Sequence, residues 1–108
     1  MHEKEIIRKF FAPLANNKES YGLKNDAALI NQNLVVSTDV MVEDYHFKKN
    51  HDPEKLAQKL IRINLSDLAA MGSKPYGYVL NICIPNSDLT WLKRFSEGLK
   101  KDSKKFQL

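Results

Sequence analysis

The stretch Leu34-Val35-Val36-Ser37-Thr38-Asp39 joins an apolar run to three consecutive side chains that carry oxygen. The apolar run predicts a β-strand that delivers Ser37, Thr38 and Asp39 at its C-terminal end. Hydroxyl and carboxylate oxygens suit a hard cation, and Mg2+ needs only one or two protein carboxylates because water and substrate phosphate fill its other positions. The stretch therefore indicates a magnesium site at the end of a strand.

Two more carboxylates stand beside apolar segments elsewhere in the chain. Asp26 comes just before one apolar run, and Asp67 lies in Asn64-Leu65-Ser66-Asp67-Leu68-Ala69-Ala70-Met71-Gly72. Two carboxylates about 4 Å apart repel each other by roughly 4 kcal/mol at an effective dielectric constant of about 20, and a divalent ion reverses that repulsion. We therefore expect Asp26, Asp39 and Asp67 to meet around a bound cation.

The residues on either side of the opening stretch predict a β-hairpin. Residues 26–30 and 34–39 are typical of two strands, and Asn31-Gln32-Asn33 is typical of the tight turn between them. Antiparallel pairing of these strands would leave Asp26 and Asp39 at the same end of the hairpin. The hairpin therefore supports a shared site despite the separation of the two aspartates in sequence.

Helical spacing of apolar residues predicts three helices. The first covers residues 3–14. The second begins at Asp52-Pro53, an N-cap followed by proline, and ends at Gly72, a common left-handed terminator. The third is capped by Ser87 or Asp88 and carries a stripe of leucine and phenylalanine that is typical of a core-facing surface.

A third strand is expected over Tyr76–Ile84, the most strand-like run in the sequence. Cys83, the single cysteine, lies inside this run; it has no disulfide partner in the chain, and we expect its thiol to be buried. The order helix, strand, strand, helix, strand, helix predicts an α+β fold, with a mixed or antiparallel sheet flanked by helices.

Asp67 has two competing interpretations within the second predicted helix. Asn64 and Asp67 are three residues apart, so both side chains point the same way, and burying a carboxylate among apolar residues is costly unless it is paired or bound. Asp67 can instead pair with Lys74 or Arg62, or face water. The whole string from Asn64 to Gly72 favours the functional interpretation.

Composition bounds the class of protein. With 108 residues, 43% of them hydrophobic and 28% charged, the chain is expected to form one soluble domain. It contains neither a membrane-length apolar run nor a signal-peptide pattern, so we expect a cytoplasmic location and no membrane partner. The net charge of +4 arises from lysines crowded near the C-terminus without interleaved aromatic residues, which favours a solvated helix over nucleic-acid binding.

The motifs that the chain lacks limit the ways in which it could bind phosphate. Its four glycines form neither a P-loop nor a dinucleotide-binding turn, so metal ions would hold any bound phosphates. That arrangement fits phosphoryl transfer, in which catalysis is mostly positioning and charge neutralisation. The three histidines lack zinc-ligand spacing, but His46 follows the acidic residues Glu43 and Asp44 and is a candidate substrate contact.

Three motifs in order resemble the N-terminal domain of the thiamine-monophosphate kinase family, a branch of the aminoimidazole ribonucleotide synthetase superfamily. They are Lys24-Asn25-Asp26-Ala27-Ala28, Val36–Asp39 with Val42–Phe47, and Asn64–Pro75. The resemblance implies ATP-dependent, Mg2+-assisted phosphorylation of thiamine phosphate to thiamine diphosphate by a homodimer. Carried over by motif, His46 would be a substrate contact, and the metal ligands would be Asp26, Ser37, Thr38, Asp39 and Asp67.

The sequence departs from the family pattern in two places. Lys24-Asn25-Asp26 stands where the family shows Gly-Asp-Asp, so the first acidic residue has lost its charge. A further Gly-Gly-Asp motif of the family would begin beyond Leu108. We therefore expect residues 1–108 to be a single ATP- and magnesium-binding and dimerisation domain, without the family's C-terminal domain, that is inactive by itself.

The sequence leaves two alternative functions open. One is a non-catalytic dimerising module of the same fold, which Asn25 and the early stop favour. The other is a related ATP-dependent synthetase that acts on a different substrate. The missing reactive cysteine near the N-terminus argues against one branch of such relatives, the selenophosphate synthetases.

Overall fold

The structure, a computed structural model, describes residues 2–15, 18–23, 27–30, 33–84 and 88–108. Within these residues it contains three α-helices and a two-stranded antiparallel sheet, which confirms the predicted α+β class. The elements are α1 (Glu3–Ile6), β1 (Ala28–Ile30), β2 (Leu34–Val36), α2 (Pro53–Ala70) and α3 (Leu89–Lys105). They belong to two compact units, Met1–Thr38 with Asp67–Ser73, and Asp39–Ser66 with Lys74–Leu108.

The β-hairpin of the first unit confirms the predicted pairing. β1 and β2 run antiparallel, with Ala28 opposite Val36 and Ile30 opposite Leu34. Both strands are shorter than the predicted 26–30 and 34–39, because pairing stops at Ala28 and Val36. Asp26 and most of the predicted turn lie outside the described residues.

The N-terminal segment is helical over the predicted residues 3–14 but changes form along its length. α1 is followed by a π-helical turn over Ile7–Phe11 and a 3-10 turn over Ala12–Leu14. Pro13 has no backbone N–H to continue an α-helical ladder, which fits the tighter last turn. Phe10 and Phe11 are each about half exposed, so the described residues leave much of the apolar face of this segment uncovered.

Both ends of α2 form through the predicted capping residues. Asp52 Oδ1 accepts a hydrogen bond from the Glu54 N–H at 3.1 Å, and Pro53 occupies the first helical position. At the other end Gly72 has a φ of 67°, and its N–H donates to the Ala69 carbonyl at 2.9 Å. The next N–H, of Ser73, donates to the Leu68 carbonyl at 3.1 Å, which completes a Schellman motif.

The second unit is built around the packing of α2 against α3. Asp88 caps α3 as predicted, with its carboxylate accepting the Trp91 N–H at 3.1 Å. The buried cluster consists of Leu56, Ala57 and Phe95. Gly98 lies against the first turns of α2, and a Cβ placed there would overlap the carbonyl oxygen of Glu54 and approach the Ala57 Cβ to 2.9 Å. Glycine therefore allows the two helices their close approach.

Asp102 forms a buried polar centre between the same helices. Its carboxylate is 1% exposed and accepts hydrogen bonds from Gln58 Nε2 at 3.1 Å, Arg62 Nε at 2.9 Å and Arg62 Nη2 at 3.1 Å. The hydrogen bonds to Asp102, and then its negative charge, raise the pKa of Arg62. No sequence motif predicts this network, because the network depends on helix packing.

The predicted third strand over Tyr76–Ile84 is wrong. These residues have no regular secondary structure, and no strand of the described part of the chain pairs with them. A strand bonds its N–H and C=O groups to a neighbour, so an apolar composition without a neighbour does not produce one. The expected burial of Cys83 is wrong for the same reason, since its side chain is exposed. Among the described residues, no helix combines the length and apolar character that crossing a membrane requires.

Candidate functional site

The first unit brings together two of the predicted metal ligands, Ser37 and Asp67. β2 ends at Val36, so Ser37 follows the strand directly, while Asp67 lies in the last turn of α2. The Ser37 hydroxyl donates to Asp67 Oδ2 at 3.4 Å, and both side chains are partly buried. A hydroxyl and a carboxylate 30 positions apart in sequence thus share one location in the fold.

The position of Asp67 on its helix makes this location attractive to a cation. The C-terminal end of a helix carries a partial negative charge, and an added carboxylate there is unfavourable by typically about 0.3–1 kcal/mol. A bound cation offsets both charges. Arg62, one of the two basic residues that offer an alternative partner for Asp67, is hydrogen-bonded to Asp102 instead.

Ser37 and Asp67 fit a magnesium ion by the chemistry of their donors. Both supply oxygen, and Mg2+ keeps several positions for water or phosphate when protein oxygens occupy only a few. Among the described residues, no three histidine, cysteine or acidic side chains form a group that could hold a metal. Water and phosphate oxygens would therefore complete the coordination around these two residues, together with any contribution from Asp26.

The other predicted metal ligands that the structure describes, Thr38 and Asp39, have exposed side chains. Both residues follow directly after Ser37, and Asp39 Oδ1 accepts the Val40 N–H at 2.9 Å. One oxygen of Asp39 is thus engaged locally, and the other side of the carboxylate faces solvent. Asp26 lies outside the described residues. The meeting of the three aspartates stays a prediction.

The side chain of Asn64, which we expect to point in the same direction as that of Asp67, is hydrogen-bonded within its own helix. Its Nδ2 donates to the Leu60 carbonyl one turn earlier at 2.9 Å. Such a bond between a side chain and the i−4 carbonyl competes with the helical ladder and holds the amide against the backbone. Asn64 therefore contributes to local helix structure.

His46 belongs to a tight turn in the second unit, which we call the His46 turn and define as Val42–Phe47. The N–H groups of Tyr45 and His46 donate to the Val42 carbonyl at 3.1 and 2.8 Å. The Asp44 N–H donates to the Phe47 carbonyl at 2.7 Å, and Asp44 adopts a left-handed φ of 68°. His46 Nδ1 accepts the Val42 N–H at 2.8 Å, so the proton of the neutral ring lies on Nε2.

The His46 turn is anchored to α2 by packing and by one lysine. Phe47 is partly buried and packs against the cluster of Leu56, Ala57 and Phe95. The ammonium group of Lys59 donates to the His46 carbonyl at 3.1 Å. Lys59 is not predictable from the sequence, because its contact is formed by the folded turn and no spacing along the chain indicates it.

Comparison with known proteins gives a consistent family. Residues 24–108 match the family described as AIR synthase related protein, N-terminal domain. The chain is 45% identical to the thiamine-monophosphate kinase of Buchnera aphidicola subsp. Schizaphis graminum over 99% of the chain and 35% of that protein. It is 36% identical to the thiamine-monophosphate kinase of Haemophilus influenzae over 100% of the chain and 35% of that protein.

A third relative, the thiamine-monophosphate kinase of Escherichia coli strain K12, is 38% identical over 90% of the chain and 32% of that protein. The chain thus spans about a third of the length of the curated relatives it matches. No solved structure matches it. The family match covers most of the chain and includes both Ser37 and Asp67. The chain therefore belongs to the family described as AIR synthase related protein, N-terminal domain.

Proposed function

We propose that this chain is the N-terminal part of a kinase that transfers a phosphoryl group from ATP to thiamine phosphate and so produces thiamine diphosphate. The observation that carries the proposal is the 45% identity, over 99% of the chain, to a relative named thiamine-monophosphate kinase. The placement of Ser37 beside Asp67 supports it, because phosphoryl transfer requires oxygen ligands for a divalent cation.

In this proposal the residues that follow β2 and those that end α2 hold the nucleotide through magnesium. When bound, the ion neutralises charge on the phosphates and aligns them for in-line transfer. Asp67 supplies a carboxylate oxygen and Ser37 a hydroxyl oxygen. Asp26, Thr38 and Asp39 are proposed as the further ligands, on the strength of the sequence motifs that contain them.

His46 is proposed as a contact to thiamine phosphate. Its ring is exposed, and its Nδ1 is occupied by the Val42 N–H, so Nε2 is the atom that meets a ligand. A neutral ring in this tautomer donates a hydrogen bond. Substrate recognition thus uses a fixed donor, whereas the nucleotide is held by carboxylate and hydroxyl oxygens.

The state in which the enzyme works is also a proposal. Two copies of the chain are proposed to associate, as the family resemblance implies, and the enzyme is proposed to work in the cytoplasm. The 108-residue polypeptide spans about a third of its relatives, and we propose that it binds magnesium and ATP without turning over.

Titration calorimetry with a non-hydrolysable ATP analogue tests this proposal on the 108-residue polypeptide. We expect binding in the presence of Mg2+ and its loss when EDTA is added. Circular dichroism on the same sample establishes that the protein is folded. A folded chain that binds no nucleotide at any Mg2+ concentration would contradict the proposal and support the non-catalytic module, which Asn25 favours in the sequence.

A second titration addresses the substrate. Thiamine phosphate is added to the polypeptide that already holds magnesium and the ATP analogue, with thiamine as the matched ligand that lacks phosphate. We expect thiamine phosphate to bind more tightly than thiamine. Magnesium-dependent nucleotide binding without any affinity for thiamine phosphate would indicate a related ATP-dependent enzyme with another substrate.

A further inference from the structure

The exposed ring of His46 is fixed at one of its two nitrogens. Its Nδ1 accepts the Val42 N–H at 2.8 Å, which holds the neutral ring as the tautomer with hydrogen on Nε2. An exposed histidine without such a bond samples both tautomers and several rotamers. The His46 turn thus presents a donor of defined identity and direction.

The backbone of His46 is fixed at a second point by Lys59. The Lys59 ammonium, on the helix α2, donates to the His46 carbonyl at 3.1 Å. The carbonyl carbon and the ring-bearing Cβ are attached to the same Cα, so holding the carbonyl restricts the backbone torsions that direct the ring. Phe47, the next residue, packs against the apolar cluster and holds the other side of the turn.

The turn also carries two acidic side chains and one left-handed residue. Glu43 and Asp44 are exposed neighbours within the same turn. Asp44 has a left-handed backbone conformation, which is energetically costly for a residue other than glycine. Lys59 bonds the turn to α2 through the His46 carbonyl, and its charge is opposite in sign to that of the two acidic residues of the turn. Both effects favour the closed turn, in which Nδ1 of His46 is occupied.

We infer that Lys59 is a positioning residue for the proposed substrate site. It holds the His46 turn so that the Nε2–H of His46 donates to an acceptor atom of the bound substrate. The inference depends on the proposed function only for the identity of that substrate, thiamine phosphate. The effect of Lys59 on the ring can be observed without any ligand.

Nitrogen-15 NMR of the histidine rings tests the inference on the full 108-residue chain. Long-range proton–nitrogen spectra, recorded under alkaline conditions in which imidazole is neutral, distinguish the two tautomers. Comparison with His46→Gln assigns the signals of His46. We expect wild type to show the Nε2–H tautomer, and Lys59→Met to show Nδ1 and Nε2 shifts that have moved toward each other.

Two variants separate positioning from a general change of charge. Lys59→Arg keeps a cationic donor and is expected to restore the wild-type signals. Lys55→Met makes the same replacement one helical turn earlier on α2, at another exposed lysine, and is expected to leave them unchanged. Wild-type His46 shifts in Lys59→Met would overturn the inference, and so would equal changes in Lys59→Met and Lys55→Met.

Calorimetry with thiamine phosphate measures whether the orientation of the His46 ring affects substrate affinity. Loss of one oriented hydrogen bond predicts affinity weakened by about fivefold in Lys59→Met, with Lys59→Arg binding as wild type does. Equal affinity in Lys59→Met and wild type would overturn the role in substrate binding. If wild type binds no thiamine phosphate while Lys59→Met still shifts the His46 signals, the proposed function fails and the positioning of His46 by Lys59 stands.

Discussion

The packed part of the helix pair α2–α3 and the segment Tyr76–Ile84 lie in the second unit and both carry apolar side chains, yet these side chains differ in burial. Phe95 on α3 is 5% exposed, whereas Val79 is 91% exposed. Each helix satisfies its backbone N–H and C=O groups internally, so it needs a neighbour only for its apolar stripe. A strand needs a neighbour for its backbone as well, and the described chain supplies none to Tyr76–Ile84.

This contrast shows which sequence signals are sufficient to predict a helix or a strand in this protein. Capping residues and helical periodicity act within a few positions of one another, and they produced α2 and α3 nearly as predicted. The alternation and β-branching of Tyr76–Ile84 describe a strand only if a partner lies alongside. Local sequence signals are therefore enough to predict the helices, whereas the strand prediction also required a contact with a residue outside the segment.

Truncation of one apolar side chain in each region gives the largest expected difference. Phe95→Ala removes a buried ring from the cluster and is expected to lower the free energy of unfolding by about 3 kcal/mol or more. Val79→Ala, its matched control, is expected to change it by less than about 0.5 kcal/mol because the side chain is exposed. Urea unfolding followed by circular dichroism measures both. A cost at Val79 comparable with that at Phe95 would show that the segment is covered in solution.

A glycine in each region sharpens the comparison at a smaller scale. Gly98→Ala places a Cβ against the backbone of α2 and is expected to destabilise the protein by about 2 kcal/mol, despite the better helix propensity of alanine. Gly77→Ala meets open space and has no positive φ, so its effect is expected to stay within about 0.5 kcal/mol. Thermal and urea unfolding of both variants provide the measurement. Equal effects of the two substitutions would contradict the close packing of the helices at Gly98.

An alkaline titration gives the smallest expected effect in the helix pair. The Lys101 ammonium is hydrogen-bonded to Glu54, and this bond, followed by the negative charge of Glu54, raises the pKa of Lys101 above its ordinary value of 10.5. The folded state thus binds this proton more tightly. Its contribution to stability is fully present below pH 10.5 and is lost as the pH rises through the higher folded value.

The measurement is the free energy of unfolding as a function of alkaline pH. We expect wild type to lose stability more steeply above pH 10.5 than Lys101→Met does, because the variant has no proton to lose at this position. Lys100→Met, at the exposed neighbouring lysine, serves as the control and should follow wild type. Parallel curves for wild type and Lys101→Met would contradict a stabilising contact with Glu54.

The fold was predictable wherever a residue acts on its own neighbourhood. Asp52, Gly72 and Asp88 end or begin helices as expected, and the hairpin pairs as expected. The burial of Asp102 is not predictable, because the lysines of the C-terminal helix predict a solvated basic face. Its burial arises only when α3 packs against Gln58 and Arg62 of α2.

The candidate site was predictable in part and for a different reason. Residue type and the neighbouring apolar segments indicate Ser37 and Asp67, and the structure brings the two together. The anchoring of His46 by Lys59 and the Val42 N–H was not predictable, because it follows from the folded turn. The metal-ligand roles remain predictions, and binding measurements test them directly.

The most direct test of the central claim compares Asp67→Asn with wild type in Mg2+-dependent binding of the ATP analogue. Asparagine keeps the shape of the side chain but removes the charge, and Glu97→Gln makes the equivalent change at an exposed residue of α3. We predict that Asp67→Asn weakens binding by about tenfold or more, as loss of a charged metal ligand does, while Glu97→Gln binds as wild type does and both variants stay folded. Wild-type affinity in a folded Asp67→Asn protein would contradict the account.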